Sequence, residues 1–248
     1  TKDETKDETK DETKDETKTT EEGVVRVPED CPTLQEAVDR VDGDDGLTTI
    51  VVGKGEHQID GRYLLIGSAM NIVGDPGVPR ADIVILGGFY FVDGFAKEIP
   101  GNRHLQHLTL RQAEGSGVWG LSSFTMEDVL VEECIEHGVW ANGTGVVGRC
   151  TNVEVHHCGW SGVVAFMGAS ITLIGAKTTV RQNCTKGKSY DYGLKVMISS
   201  SSTIQLVHPL TKQKVSVNNG GGGNWGVSGD ADINQIKTID VPSYKLRL

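Results

Sequence analysis

The sequence predicts an all-β fold, a single-stranded parallel β-helix solenoid, from three observations. Glycine is in excess, one stretch repeats itself, and helical periodicity disappears after residue 53. The 32 glycines among 248 residues are close to twice the usual ~7%. No G-x-y period accompanies them, so a collagen-like chain is excluded and many turns between short strands are expected.

The repeat appears when LTLRQAEGSGVWG (108–120), VLVEECIEHGVWA (129–141) and VEVHHCGWSGVVA (153–165) are set one above another. Leu108/Leu110, Val129/Val131 and Val153/Val155 align, then Ala113, Cys134 and Cys158. Gly117, Gly138 and Gly162 follow, then Val118, Val139 and Val163. The spacings are 21 and 24 residues. A fourth, less regular unit puts Cys184 26 residues after Cys158. Its Gly193-Leu194 meets the Gly-Val step if an insertion around Ser189–Tyr192 is allowed. Its strand reads as slipped by one, because Arg181 falls on an apolar position. Units of this length without a helix, and without a Leu/Asn consensus, point to coils that bury their inward faces only by stacking. Coils stack at ~4.8 Å, so equivalent residues form ladders along the axis. Ala113, Cys134, Cys158 and Cys184 are expected as a buried small-residue ladder, with cysteine acting as a small hydrophobe. Val118, Val139, Val163 and Leu194 form a second.

The elements follow in chain order. Residues 1–16 are four copies of TKDE, with no apolar residue and like charges at i,i+4. Residues 1–20 are therefore expected to be a disordered, low-complexity tail. The solenoid is expected over 21–240, with 241–248 as a C-terminal tail. Val24, Val25 and Val27 open a strand. Thr33-Leu34-Gln35-Glu36 is a capping box, and Leu34, Ala37, Val38 and Val41 line one helical face. This helix, Thr33–Val41, is expected to cap the first coil and cover its edge. Strands are then expected at 48–52, 64–66, 70–73, 83–86, 89–92, 108–110, 204–206, 215–217 and 233–239. At 21–26 residues per coil the length allows roughly eight to ten coils.

Charge and cysteine content exclude several functions. A net charge of −10 and a pI near 5.2 argue against nucleic acid or an anionic membrane as partner. No apolar run nears the ~18 residues of a span. Five cysteines without a C-x-x-C argue against zinc ribbons and thioredoxin-like redox sites; no cofactor and no metal are expected. The opening lacks a basic-plus-apolar leader, as in a cytosolic, processed or truncated chain. Asn142 and Asn183 stand in N-x-[ST] triplets.

The segment Pro-Thr-Leu-Gln-Glu-Ala-Val (32–38), followed by Thr-Thr-Ile-Val-Val-Gly-Lys-Gly (48–55), resembles the entry of pectinesterase-like β-helices. The middle units resemble the generic parallel β-helix repeat of uncharacterised algal, protist and large-virus proteins. The resemblance covers nearly all of 23–239 and implies the right-handed β-helix of the pectate-lyase-like superfamily. It implies no activity, because the catalytic signatures are absent. Arg26-Val27-Pro28 is followed by Cys31 where a lyase element has a second Arg. His137-Gly138 is preceded by Glu136 rather than by the Gly of a polygalacturonase G-H-G. Asp75-Pro76 is followed by Gly77-Val78 instead of the His-Glu of an epimerase.

Two constellations remain. Stacking sets Glu132 beside His156 and Glu133 beside His157, with His137 in the next turn. A carboxylate–imidazole pair on a groove can do acid–base work; Arg111 and Arg181 are the nearby cations. The alternative is a solvated ladder of opposite charges, or an inward polar stack at Asn183. Alternation from the inward valines aims Trp119 and Trp140 outward, where indole faces suit sugar rings unless a loop, 94–104, covers them. Together Trp119, Trp140, Glu132 and His156 form the expected ligand surface, with turn geometry deciding whether the pair shares a face with the indoles. The expected function is a non-catalytic module binding a polysaccharide or protein partner. The alternatives are a lyase- or epimerase-like enzyme using Glu132, His156, His157 or His137, and a structural or assembly protein.

Overall fold

The computed structural model describes residues 22–92, 102–198 and 201–240. The two expected tails, and most of the 94–104 loop, lie outside the described residues. Within them the chain is a parallel β-solenoid of about six turns. Each full coil passes through three faces. The first face stacks nine strands, from Val24–Val27 to Ile236–Ile239. The second runs from Gly55–Gln58 to Ser216–Val217, and the third stacks seven strands from Leu64–Ile66 to Trp225–Ser228.

Period-2 alternation places the core. On the first face Val25, Ile50, Ile72, Leu105, Met126, Cys150, Leu173 and Leu206 stack in register, all buried. On the third face Leu64, Phe89, Val118, Val139, Val163 and Leu194 do the same. The repeated glycines are required by this packing. A Cβ on Gly117, Gly138 or Gly162 would run into Val131, Val155 or Val180 of the next coil.

Corners are made by single left-handed residues. His107, Asp128 and Asn152 have φ of 52°, 51° and 53° where the first face bends into the second. Gln112, Glu133, His157, Gln182 and Asn218 have φ of 54–57° where the second face ends. These residues are polar, and several are of the types that tolerate this conformation best. The residue after each second corner turns inward, and this corrects the expected ladder. Val155 pairs with Val180 and His156 with Arg181, so Arg181 sits on an outward position. Counting on, the ladder reads Ala113, Cys134, Cys158, Asn183, Asn219. Cys184 is buried but stands one residue beyond it. Asn183 is 1% exposed, which closes it to glycosylation. All five cysteines are free and buried. Burial pushes the Cys150 thiol up to about 12, so it behaves as a hydrophobe.

Helix α1 spans Leu34–Gly43, slightly beyond expectation, and buries Leu34, Ala37, Val38 and Val41. Thr33 caps it by accepting from the Glu36 N–H at 3.2 Å. The reciprocal half of the capping box is replaced by a hydroxyl–carboxylate bond, Thr33 Oγ1 to Glu36 Oε1 at 3.3 Å. α1 packs against Val24–Val27 and Thr49–Val52. A one-turn helix, α2 (Lys212–Val215), was not expected. It is too short to carry a periodic signal and rests on its Thr211 cap.

Candidate functional site

The third face carries the aromatic residues. Tyr90, Trp119 and Trp140 occupy one outward position on consecutive coils, followed by Val164 and Lys195. All three rings are half-buried. Trp119 and Trp140 stack at 5.1 Å and 3°. Tyr90 stacks on the other side of Trp119 at 4.5 Å. The expected flat strip of open indole faces is therefore corrected. Stacked coils bring the rings face to face, so Trp119 is sandwiched between Tyr90 and Trp140, and the Nε1–H of both indoles is buried. Phe166 and His137 meet Trp140 edge-on. Tyr63 extends the group toward Trp119 at 5.8 Å. Arg62 lies over the Tyr63 ring and donates to Glu136 Oε1 at 2.5 Å. Tyr63 and Tyr90 were missed because their coils are longer. Gly88-Phe89-Tyr90 precedes Gly117-Val118-Trp119 by 29 residues, outside the period that revealed the repeat.

Further along the same face, residues 185–192 fold over the coil. They bury an ion pair, Lys195 Nζ to Asp191 Oδ1 at 3.2 Å, with both side chains 4% exposed. Ser161 Oγ donates to the same oxygen at 3.2 Å. His137 lies nearby, edge-on to Trp140 and Trp160. Burial lowers its pKa to about 4, against the opposing pull of Asp191. It is a neutral, packed imidazole at neutral pH rather than an open acid–base group. Lys188 lies 4.6 Å from the Trp160 ring centre, and Lys186 5.6 Å.

The second face carries the expected carboxylate–imidazole pair in the expected register, Glu132 opposite His156. Its surroundings make it an ion-pair ladder. Arg111 Nε donates to Glu132 Oε1 at 2.7 Å, while His156 Nε2 stands 3.6 Å from Glu132 Oε2. Arg181 continues the row. Burial, with Arg181 next in weight, lowers the His156 pKa against Glu132. His157 is exposed at the corner, with its Nδ1 2.9 Å from His156 Nδ1. The residues of the expected ligand surface thus lie on two faces. Glu132 and His156 lie on the second face, Trp119 and Trp140 on the third, with the left-handed Glu133 and the turn to Gly138 between them.

Among the described residues no group of three or more His, Cys, Asp or Glu could hold a metal ion. No described helix is long and apolar enough to cross a membrane. No family model, no curated protein and no solved structure matches the chain.

Proposed function

We propose that this chain is a non-catalytic β-helix module that docks a protein partner along its third face. The observation that carries the reading is the half-buried row Tyr63, Tyr90, Trp119 and Trp140, with Arg62 at its end. Trp, Tyr and Arg are the residue types on which binding energy concentrates at protein interfaces. Ring faces are taken up by neighbouring rings, so only part of each half-buried ring remains for contact. That arrangement favours interdigitating side chains over face-stacked sugars, and so a protein over a polysaccharide. The reading of Glu132 and His156 as catalytic is disfavoured by the Arg111 bond that neutralises the carboxylate.

The finer fold reading belongs here too. We infer a right-handed winding, supported by the sequence resemblance and by the strong preference of parallel crossovers for that hand. α1 is read as the cap of the first coil, its apolar side inward and its charged side out, as solenoid ends require.

The test is a tryptophan-fluorescence titration against a panel of neutral and acidic polysaccharides, alongside proximity labelling of partners in cells. Silence across the panel, with a labelled protein that purified wild-type chain binds, is expected. Trp140→Ala should then weaken that complex by ~1–3 kcal/mol. Saturable polysaccharide binding lost in Trp140→Ala would move the reading to glycans. Turnover of any polysaccharide, abolished by His156→Ala, would overturn it in favour of an enzyme.

A further inference from the structure

The geometry points to an oxyanion-binding site on the first face, centred on Arg149. It lies away from the aromatic row, so it stands or falls independently of the proposed docking surface.

The starting point is an arginine without a partner among the described residues. Six arginines lie between residues 62 and 181. Arg62, Arg80 and Arg111 are held by carboxylates, Arg103 by the carbonyls of Gly67 and Val92, and Arg181 by Gln182. Arg149 makes no hydrogen bond or ion pair with any described residue. It is half-buried, in a chain whose acidic side chains outnumber its basic ones by 34 to 24. Glu127, two positions off on the adjacent strand, likewise pairs with no described residue. A guanidinium presents five N–H donors in a rigid fork that matches planar or tetrahedral oxyanions bidentately.

The second observation is the depression in which Arg149 sits. It has a volume of about 270 Å³ and is lined by Asn102, His104, Thr125, Glu127, Arg149 and Thr151, with Met126 at its floor. The outward positions 104, 125 and 149 stack on consecutive strands. Their side chains are pre-ordered. Asn102 Nδ2 donates to Thr125 Oγ1 at 2.5 Å. The Thr125 hydroxyl meets His104 Nδ1 at 2.7 Å, and His104 Nε2 meets Gln106 Oε1 at 3.2 Å. With a neutral imidazole, the assignment satisfying all three has the hydroxyl donating to Nδ1 and Nε2–H donating to Gln106. One side of the depression is thus fixed without using Arg149, whose fork stays open for a ligand. The ligand class is a small carboxylate, sulfate or phosphate, or such a group on a larger molecule. Hydroxyls on its other end suit Glu127 and Thr151.

The test titrates the full chain with sodium phosphate, sulfate and succinate at constant ionic strength. The readout is NMR of the Arg149 Nε–H and the Asn102 side-chain amide. At least one anion should give saturable shifts of both signals, and which one does so separates tetrahedral from carboxylate ligands. Arg149→Gln should abolish saturation, and Arg149→Lys should weaken it at least about tenfold, because the bidentate fork is lost. Thermal unfolding of both variants should match wild type, since Arg149 pairs with no described residue. No saturable shift with any of the three anions would overturn the site, as would undiminished binding by a folded Arg149→Gln.

Discussion

Asn183 is hydrogen-bonded across the coil boundary to Cys158. Its Oδ1 accepts the Cys158 N–H at 3.1 Å, and its Nδ2 donates to the Val155 carbonyl at 3.0 Å. Asn219 repeats the motif one coil on, accepting the Asn183 N–H at 3.0 Å and donating to the Val180 carbonyl at 3.0 Å. The inward ladder changes from thiols to amides at this step. Side chains take over hydrogen bonding of the backbone where the second face ends.

Asn183→Ala should therefore destabilise the protein by ~2–3 kcal/mol, because it strands the buried Cys158 N–H and Val155 carbonyl. Urea unfolding measures this. A loss equal to that of Cys184→Ala, which breaks no such pair, would show that the amide ladder contributes nothing.

Cys158→Ala should cost about 1–2 kcal/mol through a small void. The Cys158 thiol pKa is pushed well above its ordinary value by the Cys134 contact and by burial. Native labelling by a thiol reagent should accordingly be slow at Cys134 and Cys158 and fast after denaturation. Fast native labelling at either position would contradict their burial.

The Lys195–Asp191 pair should show the asymmetry of buried charges. Lys195→Met leaves Asp191 unpaired and should cost about 3–5 kcal/mol. The double variant Lys195→Met/Asp191→Leu should recover much of that loss. A double-mutant cycle with no coupling would mean that the 185–192 segment is not held by the pair.

His137 should give the protein a pH-dependent stability in a definite direction. Its folded pKa of about 4 lies below the ordinary 6.5. Between those values the unfolded state binds the proton and the folded state does not. The contribution is therefore complete above pH ~6.5 and is lost as pH falls toward ~4, by roughly 3 kcal/mol in all. Denaturation at stepped pH should show this slope in wild type. A His137→Phe variant should have a flatter profile; an unchanged slope would place the titration elsewhere.

Much of the architecture was legible in the chain because a solenoid writes its geometry as a spacing. The 21- and 24-residue steps placed Val118, Val139 and Val163 on one inward row and Glu132 opposite His156, both as observed. The groove residues His104, Thr125 and Arg149 carry the same two steps. They went unread because the alignment began at Leu108, after that row. Cys184 was misplaced because a conspicuous residue type was followed instead of the register. Val180 and Arg181 fix that register through alternation, and a slip of one residue exchanges inward for outward.

The sequence by itself determined the coil spacing, the inward valine row, the alignment of Gly117, Gly138 and Gly162, and the helix after Thr33, since each depends on local pattern. Only the tertiary structure decided which outward residues share a face and what their surfaces offer. One left-handed residue, Glu133, begins the turn that sends Glu132 and Trp140 to different faces. Stacking at one coil rise turns two outward indoles into a closed pair. Arg111 reaches Glu132 while Arg149 pairs with none of the described residues. Those outcomes depend on distances between side chains on neighbouring coils, which a one-dimensional period does not contain.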